Sequence, residues 1–318
     1  MNRFEIQEQI RDILSSAGFY VSELHSMRLT GFDIVARRDD SLLIIKVMSN
    51  IDSLSEEVAN ELITLSSLLK GCPLLIGEKN GSSTLEDDVV YFRFGIQAIT
   101  VKTLRNTLLE GIPVEVYAGP GGLYVNLDET KLREIREDKG ISRGALARHI
   151  NVSSRTVRMY EEGMNSRVEI AQKIEKLLEQ TISIPIDIFR NPLVNKKIRF
   201  QYSGHLDSIE SFKREIFSLL KTVGYKIIPM EKCPFEALSK NSDNILLTCV
   251  HKYNYKLAKK AEIVGSISKI MEKHAVVITD KDVSKRNVKG TPIIIKKELK
   301  KLSDPEEVFE LIIERIQS

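Results

Sequence analysis

Apolar residues along this chain recur with two different periods, which predicts a protein built from both helices and strands. Phe4–Ala17 carries its isoleucines on one stripe, as an amphipathic helix does. Leu42–Val47 is apolar at almost every position, which is typical of a strand buried on both faces. Residues 1–112 are therefore predicted to form a mixed-sheet α/β domain. Its other predicted strands are 19–21, 31–36, 72–77 and 89–94, and its other helices are 54–69 and 103–109.

The last third of the chain repeats this order of elements, although few side chains are identical. Each copy begins with a helix that ends at a glycine, Gly18 in the first and Gly224 in the second. Residues 208–318 are therefore predicted to form a second α/β domain like the first. The segments that align are Phe32–Val35 with Phe235–Leu238, Leu43–Val47 with Leu246–Val250, Cys72–Lys79 with His274–Lys281, and Gly95–Val101 with Gly290–Ile295.

Between the two copies, residues 113–128 are predicted to form a β-hairpin connector. Pro113–Tyr117 and Leu123–Leu127 alternate as two strands do, and Gly119–Gly122 reads as the turn between them. A glycine run can also cradle a phosphate, but this one does not lead from a strand into a helix. We therefore interpret it as a hairpin turn.

Residues 129–182 contain short amphipathic segments with a helix-capping residue before each. Asp128, Ser142 and Ser153 are good N-caps, because their side-chain oxygens accept orphan backbone N–H groups. Two short helices joined by a turn, the second one basic, are the arrangement of a DNA-binding helix-turn-helix. We predict a central all-α domain here, followed by a linker over 183–207.

The charge pattern supports a nucleic-acid surface in this domain. The stretch 139–160 contains no Asp or Glu, and a face without acidic groups approaches a polyanionic duplex at lower cost. Net charge is −7 over 1–128, +3 over 129–176 and +7 over 177–318. The basic C-terminal third could touch nucleic acid as well, or its lysines could simply be solvated. The basic residues of the acid-free stretch are Lys139, Arg143, Arg148, Arg155 and Arg158.

The segment 131–163 resembles the phage-repressor, Cro-like (XRE-type) helix-turn-helix family. The resemblance implies that the first residues of the third helix read base edges and that Arg143 holds a phosphate. Many relatives have Gln at the reading positions, where this chain has Ser154, Arg155 and Met159. The predicted DNA-contacting residues are Arg143, Ser153, Ser154, Arg155, Thr156, Arg158 and Met159. The matching positions are Leu132, Arg136, Gly140, Ser142, Leu146, Ala147, Ile150, Val152, Ser153, Thr156, Val157, Tyr160, Glu161 and Gly163.

The order of elements in the flanking domains is similar to the restriction-endonuclease-like fold. In those enzymes an acid on one strand, a second acid on the next, and a lysine two residues later hold and use Mg²⁺. Asp33 and Lys46 match the first acid and the lysine, but Ile44 stands where the second acid belongs. In the other copy Glu236 matches the first acid, and Leu247 and Cys249 replace the other two groups. Glu5, Glu8 or Asp52 could supply a ligand, but we expect the nuclease chemistry to be lost.

Several classes of protein are not expected from the composition. The chain has no run of 18 apolar residues, and its start is charged rather than signal-like, so we expect a cytoplasmic protein without membrane contact. Cys72, Cys233 and Cys249 lack metal-site spacing and are interpreted as reduced core thiols. The five histidines are scattered, and no cofactor or metal is predicted.

These observations lead to a prediction of fold and function. We expect two similar mixed-sheet α/β domains flanking a central helix-turn-helix domain, in a non-enzymatic, sequence-specific double-stranded-DNA-binding transcriptional regulator. The layout resembles archaeal regulators that carry this helix-turn-helix inside a longer chain. A homodimer is expected, with the alternative that the tandem domains pair within one chain, and an unknown small-molecule or protein effector is possible in principle. The rival classes are a metal-dependent nuclease targeted by the helix-turn-helix and a protein–protein adaptor.

Overall fold

The computed structural model describes residues 3–23, 31–191, 210–282 and 286–317. The helices are α1 (Arg3–Ser16), α2 (Glu56–Leu69), α3 (Val101–Leu109), α4 (Glu129–Asp138), α5 (Arg143–Ile150), α6 (Ser154–Tyr160), α7 (Val168–Leu178), α8 (Ser211–Val223), α9 (Leu257–Met271), α10 (Lys296–Leu299) and α11 (Pro305–Gln317). The strands are β1 (Tyr20–Val21), β2 (Ile34–Arg38), β3 (Ser41–Asn50), β4 (Cys72–Asn80), β5 (Ser83–Thr84), β6 (Val89–Arg93), β7 (Ile96–Ile99), β8 (Val116–Gly119), β9 (Gly122–Leu127), β10 (Ser166–Arg167), β11 (Ser183–Ile184), β12 (Lys226–Pro229), β13 (Ala237–Lys240), β14 (Ile245–Val250), β15 (His274–Thr279), β16 (Asn287–Val288) and β17 (Thr291–Ile295).

The chain folds into two compact units. Unit 1 consists of residues 1–17, 47–54 and 74–192, and unit 2 consists of residues 18–46, 55–73 and 193–318. The helices and strands predicted from the apolar pattern are present, so the expected mixed α/β class with a central helical domain is confirmed.

Three strand boundaries of the first copy differ from the prediction. β2 begins at Ile34 rather than at Gly31. The Gly31 N–H donates to the Lys232 carbonyl at 2.8 Å and therefore does not pair with a neighbouring strand of β2. β3 is longer than the predicted 42–47. β4 extends to Asn80, beyond the predicted 72–77, because its end pairs with the short strand β5.

The predicted repeat is confirmed by matching strand pairs. β1–β2–β3 and β12–β13–β14 are both antiparallel series. In unit 1, β4 pairs with β7 in parallel and β6 with β7 antiparallel, as β15, β16 and β17 do in unit 2. The register agrees as well, because the Asp33 N–H donates to the Ile45 carbonyl and the Glu236 N–H to the Thr248 carbonyl. The two copies therefore share the same strand pairing and register, although their side chains differ.

In the helical domain the predicted capping residues begin their helices. The Asp128, Ser142 and Ser153 side chains accept backbone N–H bonds at 2.9, 3.1 and 3.0 Å and so satisfy donors that a helix start leaves open. α5 ends at Asn151, whose φ of 61° is the left-handed conformation that asparagine tolerates. The chain therefore turns sharply between α5 and α6.

The hairpin before these helices belongs to their core. β8 and β9 pair antiparallel, with Gly119 opposite Gly122, which confirms the predicted turn. β9 also pairs with β10 and β11, and β8 pairs in parallel with β6, so the hairpin continues the sheet that contains β6 and β7. The buried cluster of this domain unites strand and helix residues: Val125, Leu127, Leu132, Ile135, Leu146, Ala147, Ile150, Val157, Tyr160, Ala171, Ile174, Leu178 and Ile182.

The C-terminal repeat has its own core in unit 2, which includes Phe212, Phe217, Val276 and Ile294. Among the described residues no helix is long and apolar enough to cross a membrane. Most of the predicted linker, residues 192–207, lies outside the described residues.

Candidate nucleic-acid interface

The two sides of α6 differ sharply in exposure. Val157 and Tyr160 are buried against the domain core, at 0% and 6% exposure. Ser154, Arg155, Arg158 and Met159 lie on the exposed side. This division follows from the helical repeat of 3.6 residues, which turns every third or fourth side chain to the same face. The residues predicted to read bases therefore share one solvent face of a packed helix.

The two arginines of this face have different surroundings. The Arg155 side chain makes no hydrogen bond or ion pair to any described residue, so its guanidinium is available to a ligand. Arg158 forms an ion pair with Glu162, one helical turn further along the chain, with 2.7 Å between the Arg158 Nε and the Glu162 Oε1. An exposed pair of this kind contributes little to stability and exchanges readily for another anion.

Ser153 and Thr156, which were included in the predicted contact set, bond to each other. Ser153 Oγ accepts the Thr156 N–H and lies 2.9 Å from Thr156 Oγ1. Both hydroxyls therefore have a partner, and Thr156 is only half exposed. Their observed contribution is to fix the start of α6.

A buried carboxylate organises the back of the helix-turn-helix. The Glu161 side chain is fully buried and accepts hydrogen bonds from Arg136 and from Arg143, whose Nε is 2.7 Å from Oε2. Arg136 is also buried and donates to the Ile141 carbonyl at 2.9 Å. A paired and hydrogen-bonded buried charge is tolerated, whereas an isolated one is not. The network therefore ties α4, α5 and the end of α6 together.

This network also shifts the protonation of its members. Burial opposes ionisation of Glu161, but the hydrogen bonds from Arg136 and Arg143 outweigh it and lower the pKa of the carboxyl. The hydrogen bond to Glu161 in turn raises the pKa of the Arg136 guanidinium. Glu161 and Arg136 are therefore both charged over the neutral pH range.

Arg143, predicted to hold a phosphate, is half exposed despite its bond to Glu161. Only its Nε is used, and its two Nη groups have no hydrogen-bond partner in the part of the chain that the structure describes. Glu161 therefore fixes the guanidinium while leaving an outward edge for an anion.

Sequence reasoning missed two features of this domain. It treated Glu161 only as a position that matches the family, although Arg136 on the apolar stripe of α4 indicated that a buried cation needed a partner. It also left Arg148 out of the contact set. Arg148 is exposed and its side chain has no hydrogen bond to any described residue, so it is a further available cation on α5.

The acid–lysine pair of the N-terminal repeat, Asp33 and Lys46, faces inward. Lys46 Nζ lies 3.4 Å from Asp33 Oδ2, and the two side chains are 8% and 5% exposed. Ile44, at the position of the second acid, is completely buried. The residues present do not fit a magnesium ion, because one carboxylate already neutralised by a lysine leaves too few oxygen ligands.

The C-terminal repeat neutralises its acid in another way. Glu236 pairs with Lys260 of α9 and with Lys213 of α8, and accepts the Val250 N–H at 2.8 Å. Leu247 and Cys249, at the positions of the second acid and the lysine, are fully buried. Among the described residues no group of three His, Cys, Asp or Glu side chains is placed to hold a metal ion.

Comparison with known families defines the class of this protein as a helix-turn-helix protein with a nuclease-like α/β domain. A family model described as "Helix-turn-helix" matches residues 132–184. A second, described as "PD-(D/E)XK superfamily domain", matches residues 3–114. Both resemblances identified in the sequence are thereby confirmed. No solved structure matches the chain.

Several archaeal proteins resemble the chain over its whole length. One from Methanocella arvoryzae is 35% identical over 99% of this chain and 97% of its own. One from Methanosarcina acetivorans is 36% identical over 99% and 98%, and one from Haloquadratum walsbyi 33% over 100% and 98%. Each is named "Putative HTH-type transcriptional regulatory protein". The chain belongs to this archaeal family of HTH-type transcriptional regulatory proteins.

Proposed function

We propose that this protein is a sequence-specific double-stranded-DNA-binding transcriptional regulator in which α6 enters the major groove. The observation that carries the proposal is the solvent face of α6, where Arg155 is exposed and has no partner among the described residues. An α-helix fits the major groove, and a free guanidinium can donate two bonds to guanine O6 and N7. The names of the relatives agree with this role.

Within this proposal each exposed side chain has a distinct task. Arg155 reads a base edge, with Ser154 and Met159 beside it on α6. Arg143 holds a phosphate with the edge that Glu161 leaves open. Arg158 must first leave Glu162, so it adds less. Ser153 and Thr156 act through the start of the helix they fix.

Selection of bound sequences from a random duplex pool, with the full chain, tests the proposal. We expect an enriched sequence with a guanine that depends on Arg155. The same selection with Arg155→Ala should lose that guanine preference, while a control variant, Lys297→Ala on α10, should keep it. A pool without enrichment at low and moderate salt would instead favour the protein–protein adaptor.

We further propose that the protein binds DNA as a homodimer in the cytoplasm. A single reading helix contacts few bases, and phage-repressor-like heads bind half-sites about one helical turn apart. In the alternative, the tandem domains pair within one chain. One observation in its support is a contact inside unit 2, where Arg37 donates to the Ile270 carbonyl at 2.8 Å. Light scattering that gives a monomer both free and on DNA would exclude the homodimer.

A nuclease is the second candidate function, because the PD-(D/E)XK model matches residues 3–114. We propose that the protein is not an enzyme, since Asp33 is paired with Lys46 and Ile44 replaces the second acid. Supercoiled plasmid should stay intact with the protein and Mg²⁺ or Mn²⁺. Cleavage that disappears in Asp33→Ala would establish the nuclease instead. We also propose the domains 1–112, 129–182 and 208–318, with connectors at 113–128 and 183–207. The matched ranges 3–114 and 132–184 support the first two of these domains.

A further inference from the structure

A cavity of about 690 Å³ lies within unit 2. One wall is a single face of α2, and the other is the edge strand β12 with the segments that follow β12 and β13. A volume of this size is typical of small-molecule sites. The lining includes Asn60, Glu61 and Thr64 of α2, Lys226 and Pro229 of β12, and Lys240 of β13.

The repeat supplies a reference for this cavity, because Lys240 of β13 occupies the position of Arg37 in β2. Arg37 is opposite Leu42 in its sheet, and Lys240 is opposite Ile245 in its own. Arg37 closes onto the end of α9, where it donates to the Ile270 and Met271 carbonyls at 2.8 and 3.3 Å and pairs with Glu272. That contact is sealed.

At the equivalent place beside α2 the contact is open. Lys240 lines the cavity with Thr64 and Leu68 of α2, but its side chain makes no hydrogen bond or ion pair to any described residue. Lys226 is directly opposite Lys240 across the strand pair and is likewise without a described partner. Like charges directly opposite each other on neighbouring strands are unfavourable. An anion bound between them would remove that repulsion.

The acidic residues at the other end of the cavity are already engaged. Glu61 accepts the backbone N–H groups of Glu231 and Lys232 at 2.7 and 3.0 Å. Burial raises the pKa of the Glu61 carboxyl, with the two backbone N–H groups opposing that rise. Glu57 lies 4.0 Å from Lys232. The lining holds three carboxylates and three lysines, and the third carboxylate, Glu231, lies beside Glu61. With Lys232 placed by Glu57, the lysines whose side chains have no described acidic partner are Lys226 and Lys240, at the opposite end.

The middle of the cavity is apolar. Ile227, Ile228 and Pro229 of β12 line it together with Met230, which follows β12, and Leu68 lines it from α2. Pro229 has no backbone N–H, so the edge of β12 is a poor template for an added peptide strand. Asn60, whose side chain has no hydrogen bond to the described residues, adds a donor on the opposite wall.

We propose that this cavity is a binding site for a small organic anion with an apolar body, whose anionic group lies between Lys226 and Lys240. The apolar body packs along Ile228 and Leu68. The proposal is independent of DNA binding, because every lining residue belongs to unit 2 and none belongs to the helix-turn-helix.

The test uses the full chain and the fluorescent anion 8-anilinonaphthalene-1-sulfonate, followed by competition. We expect saturable binding of one probe per chain, displaced by octanoate and not by octylammonium. Lys226→Gln/Lys240→Gln should weaken the binding of probe and octanoate about tenfold or more. The matched control Lys297→Gln/Lys301→Gln removes the same charge from α10 and the turn after it, and should bind as the parent does.

A second variant tests the location without touching the lysines. Thr64→Trp adds a large side chain on the α2 wall and should abolish binding, with an unchanged circular dichroism spectrum. Equal binding by the parent, the lysine variant and Thr64→Trp would overturn the site. Displacement by octylammonium, or binding lost only in Thr64→Trp, would overturn the anionic ligand class. Absence of saturable binding of both the probe and octanoate would overturn the proposal.

Discussion

The helix-turn-helix and the strand ends of the N-terminal repeat both carry the charged residues that their families use, but they orient them oppositely. Arg155 points into solvent without a described partner, whereas Asp33 and Lys46 are almost fully buried and paired with each other. An exposed cation can neutralise a phosphate or read a base. In a buried ion pair each charge interacts with its partner in place of water, so neither charge is available to a ligand. This difference supports the proposed DNA-binding role over the nuclease alternative.

The two α/β repeats extend this contrast. Each keeps an acid at the same register position, and each neutralises it with lysine, from the next strand in one copy and from helices in the other. Because the lysines come from different elements, the shared feature is a neutralised acid rather than a conserved metal cage. We interpret both as structural features of the sheet.

The largest expected effect is in the buried network behind the reading helix. Glu161→Ala should destabilise the helix-turn-helix by about 3–5 kcal/mol, because it leaves Arg136 buried without its carboxylate. Amide hydrogen exchange over α4–α6 measures this in the full chain. The matched control Glu162→Ala removes an exposed carboxylate and should cost less than about 1 kcal/mol. Equal protection in both variants would show that the network is dispensable.

The same network predicts a pH dependence. The Arg136 and Arg143 hydrogen bonds hold the pKa of Glu161 below its ordinary value of 4.5 in the folded state. Its contribution is therefore complete above pH 4.5 and is lost as the pH falls through the lower folded value. The stability difference between the parent and Glu161→Gln should shrink in that acidic window, and a difference independent of pH would contradict this assignment.

A slightly smaller effect is expected at the N-terminal acid–lysine pair. Lys46→Met should destabilise the protein by about 3 kcal/mol, since Asp33 would remain buried without its cation. Adding Asp33→Asn should recover part of the loss. Chemical denaturation measures both variants, and plasmid incubation should detect no cleavage in either. If Lys46→Met leaves stability unchanged but removes a metal-dependent activity, Asp33 and Lys46 belong to an active site and not to a structural ion pair.

Substitution of the free cation on α6 comes next. Arg155→Ala should cost about 1–3 kcal/mol on the selected duplex and relax base choice at one position. Arg158→Ala, measured beside it in a fluorescence anisotropy titration, should cost less because Arg158 is already paired with Glu162. Equal loss on random and selected duplexes would show that Arg155 contacts only the backbone.

The smallest effect concerns the phosphate contact. Arg143→Ala should weaken all duplexes to a similar extent and reduce the slope of log affinity against log salt by about one. Arg143→Lys keeps the charge and should retain most of that slope. If Arg143→Ala changes sequence preference instead, the residue acts through the position of α6 and not through phosphate.

Much of the fold follows from the sequence because local patterns specify local structure. The caps at Asp128, Ser142 and Ser153 and the apolar run of β3 each marked an element that the structure contains. The repeat was also visible, since the register of Asp33 and Glu236 survives although the residues around them changed. Caps and apolar runs involve only neighbouring residues, so they can be recognised without knowing the tertiary structure.

The sequence by itself determined that a basic, acid-free helix begins at Ser153 and which of its residues face away from the apolar stripe. Only the tertiary structure decided which charges remain free. Glu161 accepts a hydrogen bond from Arg143, which is 18 positions away in the chain. The Lys240 side chain lines a cavity without a described partner, whereas its counterpart Arg37 donates to the Ile270 carbonyl, 233 positions away. These outcomes depend on distances between elements that are remote in the chain, and electrostatic interactions depend on those distances and on burial.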